Sequence, residues 1–230
     1  MIPSELATAF EAVIFDFDGT LAELTLDFTL MKTKIAALGE CFLPHRPEPD
    51  GTPALEWMET LTAHVERECD RDTALEFNCR CRLAITAMEL NAARDGNLFE
   101  FTRPLLLGLR EHGIATGIIT RNTGSAVRTV FPDVNEHTGV LLAREDAPRI
   151  KPHPAHLLQA LERLGIAPAH ALMVGDHPLD MKTGRAAGTA TAGVMSGRCD
   201  ADDLKNAGAD LVFEDASRLL APGALTAVRN

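Results

Sequence analysis

Two aspartates lie two residues apart, Asp16 and Asp18, at the end of the apolar run Ala12-Val13-Ile14-Phe15, and Gly19-Thr20 follow them. In a strand, side chains at i and i+2 point to one face, so both carboxylates would project together. Gly19 permits a sharp turn directly after them. Such a pair can bind a hard cation such as Mg2+, supply a nucleophile, or serve as general acid and base. A solvated strand end bearing two surface acids would read the same way. Thr120 ends a second apolar run, Ile114-Ala115-Thr116-Gly117-Ile118-Ile119, and Arg121-Asn122 come next. Its hydroxyl can bond a phosphoryl oxygen, and the helix expected from Thr123 would offer N-terminal amides. Lys151 sits in Ile150-Lys151-Pro152-His153-Pro154, just before a helical pattern, where an ammonium would offset clustered acids and meet a phosphate. Asp176 stands at the tip of Ala171-Leu172-Met173-Val174-Gly175, with Asp180 four residues on. Each of these taken singly also has an ordinary reading, as a helix cap or a surface charge.

The elements that must hold these groups follow from the apolar pattern. Short buried runs at 12–17, 114–120 and 171–176 read as strands, with weaker ones near 139–142, 189–195 and 211–213. They alternate with helical segments of about ten residues, the signature of βαβ units and a parallel sheet covered on both faces. In such sheets ligands bind beyond the carboxyl ends of the strands, where all the singled-out residues fall. Thr102 is expected to cap the helix over 102–113, and Gly113 to stop it. The fold class is α/β, a doubly wound, Rossmann-like parallel sheet core.

Residues 21–99 break that rhythm. Ala54, Trp57, Met58, Leu61, Val65 and Cys69 recur at helical spacing, and so do Leu75, Cys79, Leu83, Ala87 and Leu90. Two such stripes can bury one another. Pro44, Pro47, Pro49, Gly51 and Pro53 mark irregular chain before them, and Asp95-Gly96-Asn97 the turn back. The domain expectation is a core of residues 1–20 and 100–230 carrying a smaller all-helical domain over 21–99.

With 46% hydrophobic and 24% charged residues among 230, the chain is of ordinary globular composition. A net charge of −11 repels phosphate backbones, which argues against nucleic acid as a partner. The five cysteines are odd in number and show no zinc spacing, as expected of free thiols in a reducing cytoplasm. The N-terminal residues lack a basic-then-apolar signal, and no apolar run nears the roughly 20 residues of a membrane span. A cytoplasmic protein without a membrane partner is expected, as monomer or homodimer. His153, His156 and His177 near the motifs, and His45 and His64 in the insertion, are read as ordinary side chains rather than a metal site.

The set Asp16-Phe17-Asp18-Gly19-Thr20, then Thr120, then Lys151-Pro152, then Gly175-Asp176-x-x-x-Asp180 resembles the four motifs of the haloacid dehalogenase-like hydrolase superfamily, in order and in relative spacing. The stretch LLLGLREHGIATGIITRN (105–122) fits as well, and the likeness covers residues 11–20 and about 100–215. The insertion after the first motif looks like the helical cap of the phosphoglycolate phosphatase-like and β-phosphoglucomutase-like branch. The resemblance implies that Asp16 attacks phosphorus and that Asp18 protonates the leaving oxygen and then activates water. It implies that Thr120 and Lys151 hold phosphoryl oxygens. Gly19 and Thr20 would offer amides to the phosphate, with Arg121 and Asn122 beside the substrate. Mg2+ would be held by Asp16, by the Asp18 main-chain carbonyl and by Asp176, with Asp180 binding through water or orienting the site. Members that cleave carbon–halogen bonds lack an acid at the second position, so Asp18 favours phosphoryl chemistry. One departure is Arg121 between Thr120 and Asn122, since many relatives have Asn directly after the Thr or Ser. The implied activity is Mg2+-dependent hydrolysis of a small phosphorylated metabolite. A sugar-phosphate mutase is the alternative, and a non-catalytic Mg2+- or phosphate-binding regulator the more distant one.

Overall fold

A computed structural model describes residues 10–221. The chain divides into two compact units, one formed by the chain up to Leu24 and from Ala93 onward, the other by Thr25–Ala92.

The first unit is built on six parallel strands, β1 (Ala12–Phe15), β4 (Ala115–Ile119), β5 (Val140–Leu142), β6 (Ala171–Gly175), β7 (Ala190–Val194) and β8 (Leu211–Phe213), in the order β5-β4-β1-β6-β7-β8. β1, β4 and β6 are almost wholly apolar and lie within the sheet, as strands covered on both faces must. One layer of the core packs Ile14, Ile119, Leu142 and Met173 against Leu157, Ala160 and Leu161 of the helix Ala155–Leu164. That helix ends where Gly165 takes a left-handed φ of 71°, which only glycine adopts without strain.

The pairing of Phe15 with Ile118 on one side and Val174 on the other aligns the ends of three strands. The chain order runs outward from β1 in both directions, so the tips of β1, β4 and β6 adjoin where the winding reverses. Asp16, Thr120 and Asp176 are the residues that follow those tips.

Two short strands, β2 (Ala22–Glu23) and β3 (Asn97–Leu98), pair antiparallel within the first unit. The second unit is therefore narrower than the expected 21–99, because backbone pairing binds both crossing segments to the core side. Thr102 does not cap its helix either. Phe101 holds the cap position of Thr102–Glu111, and the Thr102 hydroxyl donates to the Leu21 carbonyl instead.

The second unit is helical: Phe28–Gly39, Ala54–Glu68 and the long helix Arg71–Asp95 as far as Ala92. Its core joins Met31, Ile35, Trp57, Met58, Leu61 and Val65 with Phe77, Cys81 and Ile85. The first expected stripe is buried except for Cys69, which is exposed. The second is a correction. Leu75 and Leu83 are 53% and 71% exposed, and the helix buries Ala74, Phe77, Cys81, Ile85 and Met88. Both sets share the 3–4 spacing, so periodicity did not choose between them. Packing did, by taking the face with the aromatic Phe77 and the β-branched Ile85.

Candidate active site

The order of construction is strand, turn, then charge. β1 delivers Asp16, whose Oδ1 accepts the Phe17 amide at 2.6 Å. The turn after it closes on itself, with the Gly19 amide donating to the Ala22 carbonyl (2.7 Å) and the Thr20 amide to the Phe17 carbonyl (3.3 Å). This corrects the expectation that these two amides face a phosphate, because both are spent inside the turn. Gly19 serves through its φ of 80° and its missing side chain, and Thr20 through its hydroxyl, 3.4 Å from Asp176 Oδ1.

Lys151 is buried, and its Nζ lies 2.7 Å from Asp16 Oδ1 and 2.6 Å from Asp180 Oδ1. Burial alone would lower its pKa, but the Asp16 and Asp180 carboxylates overcome it and hold the ammonium above the ordinary lysine value. The Lys151–Pro152 peptide is cis. Asp180 occupies the first turn of the helix Pro178–Ala187, where its Oδ2 accepts the His177 amide at 3.1 Å while His177 Nδ1 accepts the Leu179 amide at 3.1 Å. This reciprocal cap fixes Asp180 toward Lys151. Gly175 makes room, since a β-carbon there would stand 2.3 Å from Asp180 Cγ.

Asp16, Asp176 and Asp180 each bring a carboxylate oxygen to within 4.8 Å of the others. Burial pushes the Asp176 carboxyl up, and the Asp16 and Asp180 charges add to it; burial likewise raises Asp180, with Lys151 pulling the other way. One ammonium among three clustered acids leaves an excess of buried negative charge. That is the donor set a hard divalent cation requires, so these residues fit Mg2+.

The Asp18 side chain is not one of the three. Its Oδ1 accepts the Leu24 amide at 2.9 Å, and burial raises its carboxyl to about 7, with that hydrogen bond opposing. Such a group can give up or take a proton near neutral pH.

At the tip of β4, the Thr120 hydroxyl accepts the Asn122 amide at 3.1 Å. The Asn122 side chain is buried, and its Nδ2 has no protein acceptor. Arg121 and Asn122 are tied back through their carbonyls, which accept from Arg144 Nη1 and the Arg144 amide. The next helix, Gly124–Val130, already has its terminus filled, because Gly124 donates to Glu145 Oε1 at 2.9 Å and the Thr123 hydroxyl does so at 3.2 Å. The Gly124 amide is therefore not open to a phosphate, contrary to the expectation for this helix terminus.

Sequence reasoning missed Ser196 and Gly197, just past β7. The Ser196 hydroxyl donates to the Gly19 carbonyl at 2.7 Å, and Gly197 lies against Asp176. The available signal was that β7 ends at the same edge as the other site strands.

This edge, with acids following β1 and β6 and a buried lysine between them, is that of a known family. The profile of the haloacid dehalogenase-like hydrolases matches residues 13–194, and the chain belongs to that family, as an enzyme on its phosphatase-like branch. It is 29% identical over 227 residues to a phosphoglycolate phosphatase of Haemophilus influenzae, covering 93% of this chain and 98% of that one. It is 27% identical to an N-acetylmuramic acid 6-phosphate phosphatase of Pseudomonas putida, covering 88% and 91%. The solved structure of a phosphonoacetaldehyde hydrolase-like protein from Oleispira antarctica matches the fold with a TM-score of 0.64, at 18% identity over 93% of this chain and 91% of that one. Among the described residues, no helix is long and apolar enough to cross a membrane.

Proposed function

We propose that this enzyme is a Mg2+-dependent phosphatase that hydrolyses a small-molecule phosphomonoester through an aspartyl-phosphate on Asp16. The observation that carries the reading is the Lys151 ammonium between Asp16 and Asp180 beside Asp176. Asp16 Oδ1 is held by Lys151 and the Phe17 amide, which leaves Oδ2 to attack phosphorus. As the ester oxygen leaves, Asp18 gives it a proton. The Asp18 carboxylate then takes a proton from water, whose oxygen attacks the aspartyl-phosphate. Inorganic phosphate departs, and Asp16 is regenerated with Asp18 protonated again. Thr120, Lys151 and the Asn122 side-chain Nδ2 hold the phosphoryl oxygens. Asp16, Asp176 and the Asp18 carbonyl would hold Mg2+, with Asp180 binding through water or orienting the site. The ion would supply charge neutralisation on the phosphoryl group, which is the main requirement of this chemistry. The five cysteines, all free among the described residues, fit a cytoplasmic enzyme.

The two named relatives act on phosphomonoesters that are also carboxylic acids. A phosphate-release screen should begin with such compounds and extend to sugar phosphates and nucleotides. Release with Mg2+, lost in chelator and restored by the ion, is the expected result. No phosphate from any substrate would overturn the phosphatase reading, and full activity in chelator the metal assignment.

A further inference from the structure

His156 lies five residues beyond Lys151, in the first turn of Ala155–Leu164, and is fully buried. Its Nδ1 accepts the Lys151 main-chain amide at 3.3 Å. Among the described residues, no main-chain carbonyl takes that amide. An Nδ1 that accepts puts the ring proton on Nε2. Burial, with the Lys151 charge adding to it, lowers this imidazole to about 4, so the ring is neutral at working pH. Nε2 has no hydrogen-bond partner among the described residues. The neutral ring therefore meets the backbone that carries Lys151 through Nδ1.

We propose that His156 is a positioning residue: it holds the Lys151 main chain, so that the Lys151 ammonium keeps a fixed place between Asp16 and Asp180 and against the phosphoryl group. This rests on the phosphatase reading, in which Lys151 and Thr120 meet the same phosphoryl group. A lysine amide without its acceptor would let the loop shift, and misplacement of a contact by about 1 Å can cost as much as 100-fold in rate. A buried histidine that only fills space would be replaceable by a leucine.

The test compares His156→Leu, which removes the acceptor, with His156→Asn, whose Oδ1 falls near the position of Nδ1. Turnover of an aryl phosphate with Mg2+, inhibition by inorganic phosphate and deuterium exchange of the Lys151 amide are measured on the full chain. We expect His156→Leu to lose at least tenfold in kcat, which is about 1.4 kcal/mol. It should also bind phosphate more weakly and exchange the Lys151 amide faster. His156→Asn should recover kcat to within about threefold and keep the amide protected. Equal kcat in the two variants, whether high or low, would overturn the proposal. Should the leucine variant not fold, His156→Gln replaces it, since its polar atoms lie nearer the Nε2 position. If the unaltered protein releases no phosphate, the phosphatase reading fails, and the exchange comparison alone decides whether His156 holds Lys151.

Discussion

A β-carbon on Gly197 would stand 1.9 Å from Oδ2 of Asp176. On Gly19 it would stand 2.4 Å from the same atom. The Asp176 carboxylate thus lies in a slot between two backbones far apart in sequence, and Asp is too short to swing clear. Gly197→Ala should displace it while leaving the sheet intact. The expected result is a ten- to 100-fold loss of kcat and a higher Mg2+ concentration at half-maximal activity. Kinetics across a Mg2+ series would check this, and an unchanged Mg2+ response would count against Asp176 as a ligand.

Asp16→Asn preserves shape but replaces the attacking carboxylate with a poor nucleophile. Turnover of an aryl phosphate should fall by at least a factor of about 1,000, or about 4 kcal/mol of barrier. Retention of a tenth of the activity would rule out the covalent step. The unfolding midpoint should remain that of a folded protein.

Lys151→Met removes the cation from between Asp16 and Asp180. Removing one partner of a buried ion pair costs about 3 kcal/mol or more, because a charge is left uncompensated. The loss should be largest at neutral pH, above the value of about 6 to which burial raises Asp180. It should shrink as pH falls and Asp180 takes up its proton. Urea unfolding of both proteins at pH 7 and pH 5 measures the difference, and a loss that grew in acid would contradict the arrangement.

His156 gives a second pH signature. Its pKa drops from 6.5 in the unfolded chain to about 4 in the fold. Between these values the unfolded state binds more protons, so stability falls as pH goes from 6.5 to 4. Above 6.5 the group contributes no dependence. The full effect is on the order of 3 kcal/mol. His156→Asn should lack this part of the acid loss, so the stability difference between the two proteins must change over that pH range. A constant difference would show that the ring is not held neutral.

Much of the core was legible in the chain. Buried parallel strands need continuous apolar runs, and residues such as Asp16, Thr120 and Asp176 directly after those runs must emerge at one edge. Order and spacing carried that far because they are local. The insertion was legible as helical for the same reason, yet the buried face of Arg71–Asp95 was not. Leu75 and Leu83 have the same 3–4 spacing as Phe77, Cys81 and Ile85, and only the neighbouring helices decide which set is covered.

By itself, then, the sequence determined the α/β class, the six strands, the helical insertion and the residue types at the strand tips. The tertiary structure alone decided that Lys151 lies between Asp16 and Asp180, that the Gly19 and Thr20 amides close their own turn, and that Glu145 fills the helix terminus at Gly124. It alone brought Ser196 and Gly197 to the site and set His156 Nδ1 to accept the Lys151 amide. Each of these depends on contacts between segments 20 to almost 180 residues apart or on which partner a backbone amide finds first. Local pattern encodes which groups are present and which way a strand presents them, whereas the choice among competing partners is made only when the segments pack.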